Sequence, residues 1–149
     1  MILGEIIMDI ISSGMAEIAL WEVFAASRTA NATGLIAGVI GVWVAARFSS
    51  VMIDKGANTL AKVLCTAFAV GVFLAGLNIA GFITATFDGH AQALAALDVA
   101  NGALDIGAGS LAFIAQNANG NPIGMAAGSL IFGVGLLIAV LPLWFNPNE

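Results

Sequence analysis

The residues of this chain best suited to chemistry are carboxylates and amides at helical spacing. Asp98, Asn101 and Asp105 recur at intervals of three and four within a heptad duplication from Ala96 to Gly109, so we expect them along one stripe of a helix. Such a stripe can bind a cation, line a pore or contact a polar partner. It can equally be the solvated face of a surface helix. It lacks the dense oxygen ligands of an EF-hand loop, and we predict no metal site.

Two more carboxylates, Glu17 and Glu22, interrupt an apolar segment near the N-terminus. Carboxylates in membrane helices mark ion or proton routes, or they pair with a cation. Arg28 is about 16 Å from Glu17 along a helix axis at ~1.5 Å per residue, so the two cannot pair within one helix. We expect a neighbouring helix, from this chain or from another subunit, to supply a cation to Glu17, or the acid to stay protonated. Glu22 is expected to share that role or to be hydrated.

Asn78 and His90 are the remaining candidates. Asn78 interrupts an apolar run, where an amide more often bonds a neighbouring helix than a substrate. His90 follows that run and is predicted to be a loop residue, with a pigment ligand, a proton relay and a pH sensor as alternatives. A single histidine excludes a paired-imidazole haem site within one copy.

The sequence contains no pattern typical of catalysis. It has no nucleophile motif, no phosphate-binding glycine loop and no zinc spacing. We therefore predict no catalytic residues, no enzyme activity and no cofactor. The net charge of −5 gives no basic surface for nucleic acid.

The elements that position these residues are predicted from hydropathy. The chain is 60% hydrophobic and 9% charged, with a mean hydropathy of +1.03, whereas soluble domains carry roughly 25% charged residues. We predict an all-α integral membrane protein, a single transmembrane domain over residues 1–149 with bound lipid. Its four crossings, each long enough for the bilayer, are expected near 6–27, 32–53, 59–87 and 122–145.

Two segments leave alternatives open. Residues 91–116 are predicted to form an amphipathic helix at the membrane interface, because a crossing would bury Asp98 and Asp105 at ~2.5 kcal/mol or more each. A fifth crossing is the alternative. The first segment is predicted to cross the membrane. Its alternative is a short surface helix up to a break at Gly14.

The few cations predict the orientation. Arg47, Lys55 and Lys62 bracket one loop, whereas Arg28 stands alone in the preceding one. The positive-inside rule places the 47–62 loop in the cytoplasm, in a plasma or inner membrane.

The glycine-rich helices predict close packing. Gly34 and Gly38, and likewise Gly124 and Gly128, have the spacing at which membrane helices approach closely. Together with the scarcity of extramembrane residues, this predicts a small non-catalytic subunit of a larger membrane assembly or homo-oligomer. The alternative is a homo-oligomeric channel or transporter for an ion, a proton or a small solute.

Overall fold

The computed structural model describes residues 2–102, 104–120 and 122–145, and the side chains of 4–102, 104–120 and 124–145. The ordered elements in these ranges are four helices: α1 (Ile2–Asp54), α2 (Thr59–Asn101), α3 (Ala108–Asn117) and α4 (Pro122–Trp144). Helices α1, α2 and α4 are long and apolar enough to cross a membrane. The chain is therefore all-helical over the described residues, and its composition and helix lengths are those of a membrane protein.

Helix α1 is continuous through residues 28–31, where the sequence predicts a connection between two crossings. No glycine or proline lies between Gly14 and Gly34, so nothing in the backbone favours a turn there. The hydroxyls of Ser27 and Thr29 donate to carbonyls four residues earlier, at 2.9 and 3.1 Å. Because these polar side chains bond to carbonyls of their own helix, they do not interrupt it. Their polarity alone predicts a loop.

The connection between α1 and α2 is shorter than the predicted 47–62 loop. Gly56 has φ +65 and its N–H bonds the Ile53 carbonyl at 3.0 Å, as at a helix C-terminus that ends on glycine. The Asn58 side chain accepts from the Ala61 N–H at 2.9 Å and so caps α2. Arg47 consequently lies within α1.

The predicted amphipathic helix over 91–116 is divided in the structure. Its first part belongs to α2, which continues past the predicted end at residue 87 as far as Asn101. Gly102, with φ +65, ends α2 because a left-handed conformation suits glycine. The second part forms α3 from Ala108 onward. Ala103, inside the heptad duplication, lies outside the described residues.

Helix α4 agrees with the predicted crossing near 122–145. It runs from Pro122 to Trp144, and a proline is well placed at the first position of a helix. Pro142 lies inside the helix, close to its end, where a lost backbone hydrogen bond disturbs few residues.

The helices contribute to two compact units. Unit 1 comprises residues 1–30 and 83–121, and unit 2 comprises residues 31–82 and 122–149. Unit 1 therefore contains α3 with one part of α1 and one part of α2. Unit 2 contains α4 with the remaining parts of α1 and α2.

Unit 2 is held together by small residues and one large one. Ala45, Ala69 and Ala139 form a buried cluster, which brings the three helices close together. The fully buried Phe132 packs against Gly38 and Gly76. Because a Cβ atom at Gly76 would overlap the Phe132 ring, this ring requires glycine on the facing helix.

Polar bonds also link the helices of unit 2. The buried Ser49 hydroxyl donates to the Ala139 carbonyl. The Trp144 indole donates to the Thr66 hydroxyl at 2.9 Å. Such bonds are effective between apolar helices, since few other polar partners are present.

The glycines singled out from the sequence occupy different environments within unit 2. A Cβ at Gly38 would lie 2.7 Å from the Phe132 ring, and one at Gly128 would lie 2.9 Å from the Ala80 Cβ. At Gly34 the nearest atom, on Ile79, would be 3.8 Å away, and Gly124 is exposed. Gly38 and Gly128 therefore lie at close helix contacts.

Candidate functional site: the acidic turn and the aromatic cluster of unit 1

The Glu17 carboxylate lies at the N-terminus of α3. It accepts the Gly107 N–H at 3.1 and 3.2 Å on its two oxygens, and it also accepts the Ser110 hydroxyl. Gly107 immediately precedes α3, and no α3 side chain caps this end. Glu17 therefore supplies an anionic cap from α1, where the unpaired N–H groups and the helix dipole favour a negative charge.

Trp21 adds a further hydrogen bond to the contacts of Glu17 and Ser110. Its indole N–H donates to the Ser110 hydroxyl oxygen at 2.9 Å. A hydroxyl both donates and accepts whereas a carboxylate only accepts, so the bonds run from Trp21 through Ser110 to Glu17. Ser110 is 2% exposed, and the network holds the indole in a fixed position.

Three of the other acidic and amide candidates lie at the end of α2 and in the turn between α2 and α3. Asp98 accepts the Ile106 N–H at 3.3 Å, and the Asn101 amide donates to the Ser13 hydroxyl at 2.5 Å. Asp105 lines a cavity of about 390 Å³ together with Glu17. We call Glu17, Asp98, Asn101 and Asp105 the acidic turn.

The acidic turn differs from the predicted helical stripe. Asp98 and Asn101 lie on α2, but Asp105 follows the break at Gly102 and is exposed. The heptad spacing suggested a continuous helix, and the glycine ends it. Asp105 shares a cavity with Glu17, which is 88 residues earlier in the chain. Helical periodicity does not encode this tertiary arrangement.

Glu22 and Asn78 lie elsewhere. Glu22 is an exposed residue of α1 in unit 1. Asn78 is an exposed residue of α2 in unit 2, and its side chain makes no hydrogen bond to any residue that the structure describes.

An aromatic cluster surrounds the only histidine. His90 lies within α2, not in the predicted loop, because α2 continues through Gly89. Its ring stacks on Phe24 with centroids 4.3 Å apart, and it meets the rings of Trp21 and Phe113 edgewise at 4.6 and 5.1 Å. The cluster comprises Trp21, Phe24, Phe87, His90 and Phe113.

Packing, not hydrogen bonding, holds His90. It is 7% exposed, and its Nε2 has no hydrogen-bond partner among the described residues. The Arg28 guanidinium lies 6.0 Å from the Phe24 ring centroid, a cation–π distance. The sequence carried a signal for this cluster: Trp21 and Phe24 are three residues apart on α1, as are Phe87 and His90 on α2.

The described residues contain no group of three or more histidine, cysteine, aspartate or glutamate side chains placed to hold a metal ion. Comparison with protein-family models, curated proteins and solved structures gave no match.

Proposed function

We propose that this protein is a small non-catalytic subunit of a membrane assembly, built with further copies of itself or with other membrane proteins. The observation that carries the proposal is the exposed Asn78 on an apolar face of α2. Leu74 and Phe82 flank it and are 58% and 65% exposed. An amide on such a face favours another helix over lipid.

The same face is suited to a close helix contact. Gly71 and Ala75 are exposed beside Asn78, and no atom lies within 4 Å of a Cβ placed at Gly71. Small residues let helix backbones approach, and an interhelical amide bond adds about 0.6–2 kcal/mol in membranes. We call Gly71, Leu74, Ala75, Asn78 and Phe82 the Asn78 face.

In this proposal, α1, α2 and α4 each cross the membrane once. Unit 2 contains 23 or 24 residues of each of these helices, and about 20 suffice to cross. The turn at residues 55–58 lies on the cytoplasmic side, because Arg47, Lys55 and Lys62 flank it. Lipid covers the remaining exposed apolar side chains in a plasma or inner membrane.

Energy transfer between labelled copies in liposomes tests the proposal. Asn78→Leu should reduce transfer between donor- and acceptor-labelled copies, because it removes the polar bond and keeps the side-chain volume. Gln116→Leu is the matched control, since it removes an exposed amide from α3 and should leave transfer unchanged. Equal energy transfer in wild type and Asn78→Leu would show that the Asn78 face is not the contact between copies.

The second candidate function is a channel or transporter for an ion. It is favoured by one observation, the two carboxylates of Glu17 and Asp105 on a common cavity. Asp105→Asn tests it best, because Asp105 is exposed and does not cap α3. Cation flux into proteoliposomes should fall in this variant if the cavity lies on an ion path. Wild-type liposomes without flux would leave only the subunit role.

A further inference from the structure

A cavity between α2 and α3 in unit 1 collects oxygen acceptors that the acidic turn and the aromatic cluster do not use. Its volume is about 300 Å³, and its lining includes Asp88, Gln92, Asn117 and Gly120. None of its lining residues is a lysine, an arginine or a histidine. The cavity therefore contains a carboxylate and no cation from the described residues.

Asp88 is the anionic group of this cavity. Its Oδ1 atom is buried, and neither carboxylate oxygen accepts a hydrogen bond from a described residue. A buried carboxylate oxygen without a donor or cation is unfavourable. Gln92 lies one helical turn further along α2 and also lines this cavity.

The C-terminus of α3 adds neutral acceptors. The Asn117 amide nitrogen donates to the Phe113 carbonyl at 2.9 Å, which leaves the amide oxygen as an acceptor. The last carbonyls of a helix lack intrahelical partners and carry the negative end of its dipole. Gly120, with φ +69, ends this segment with its N–H bonded to the Asn117 carbonyl at 3.0 Å.

We propose that this cavity binds a monovalent cation of the Na⁺ type. Hard cations prefer oxygen ligands, and the cavity offers a carboxylate, amide oxygens and the end of a helix dipole. One carboxylate balances one positive charge, whereas a dedicated Ca²⁺ loop uses several. A water occupies about 30 Å³ in the liquid, so the ion keeps part of its hydration shell. This inference is independent of the subunit function.

The test uses the full chain in detergent, with Tm followed by tryptophan fluorescence. Tm is compared in NaCl, choline chloride and methylammonium chloride at one ionic strength, so that screening is constant. We expect a saturable rise of Tm in NaCl over choline chloride, because a ligand of the folded state stabilises it. Asp88→Asn should abolish this rise. Glu22→Gln, an exposed carboxylate of α1, should retain it.

A second measurement applies if Asp88→Asn does not fold. The ²³Na linewidth should broaden with wild-type protein, and Gln92→Leu should weaken Na⁺ binding about tenfold, a loss of ~1.4 kcal/mol. Equal Tm values in NaCl and choline chloride, with no broadening, overturn the proposal. So does a rise in methylammonium chloride alone, which would assign the cavity to an ammonium group. An undiminished NaCl effect in Asp88→Asn or in Gln92→Leu also overturns it.

Discussion

Units 1 and 2 are built from the same long helices, but different interactions hold each of them together. Unit 1 contains seven of the nine acidic residues, a hydrogen-bond network around the N-terminus of α3 and an aromatic cluster. Unit 2 contains three of the four cations and depends on alanine and glycine contacts. In lipid, the hydrophobic effect does not drive helices together, so close packing stabilises a unit such as unit 2. Unit 1 is stabilised by its hydrogen bonds and by its aromatic contacts.

The largest expected effect is in unit 2, at Gly76. Gly76→Ala should destabilise the protein by about 3 kcal/mol, because overpacking of a close contact displaces Phe132. Unfolding in mixed detergents measures this change in the free energy of unfolding.

Gly81→Ala is the matched control on the same helix, since no atom lies within 4 Å of its added Cβ and it is not part of the Asn78 face. It should be neutral or slightly stabilising. Adding Phe132→Ala should relieve the clash, so the double variant should lose less than the sum of the two single losses. Additive losses would show that the Phe132 contact does not limit packing.

The next effect is in unit 1, at Glu17. Glu17→Ala leaves the Gly107 N–H and the Ser110 hydroxyl without their acceptor, a loss of about 1–3 kcal/mol. Hydrogen exchange should accelerate at the first turn of α3. Glu22→Ala removes an exposed carboxylate and should stay within about 0.5 kcal/mol of wild type. Equal protection of α3 from hydrogen exchange in wild type and Glu17→Ala would show that Glu17 does not cap this helix.

The smallest effect concerns His90. His90→Ala removes ring contacts with Trp21, Phe24 and Phe113 and should cost about 1–2 kcal/mol. Aromatic pairs contribute about 0.5–1.5 kcal/mol each beyond burial, but these contributions do not add because the three rings still contact one another. His90→Phe keeps the stacking and should remain close to wild type, as Nε2 has no described partner. Thermal unfolding of the full chain reports both. A loss in His90→Phe as large as the loss in His90→Ala would show that the imidazole nitrogens have a role.

Composition and run length predicted the helical class, the presence of helices long and apolar enough to cross a membrane and the bounds of α4, because these depend on local hydropathy. The continuity of α1 was not predicted, because Arg28 and its polar neighbours have the composition of a loop. The sequence does not show that the Ser27 and Thr29 hydroxyls bond to carbonyls of the same helix. Helical periodicity placed Asp98 and Asn101 on one face. It could not place Glu17 at Gly107 and Ser110, because these contacts join distant parts of the chain.

The glycine motifs illustrate the same limit in unit 2. Gly38 and Gly128 were selected by spacing and lie at close contacts, but Gly76 and Gly135 have no such spacing to mark them. A Cβ at Gly135 would lie 2.5 Å from Val42. Which glycine a neighbouring side chain requires depends on the position of that side chain, and a spacing rule within one helix cannot supply it.

We propose that this chain is a subunit whose Asn78 face is covered by another membrane helix. Native mass spectrometry after mild detergent extraction from the membrane tests it most directly. We predict a complex of several copies, or of this chain with a second membrane protein, and a shift toward monomer in Asn78→Leu. A monomer alone from wild-type membranes, at every detergent concentration, would contradict the claim.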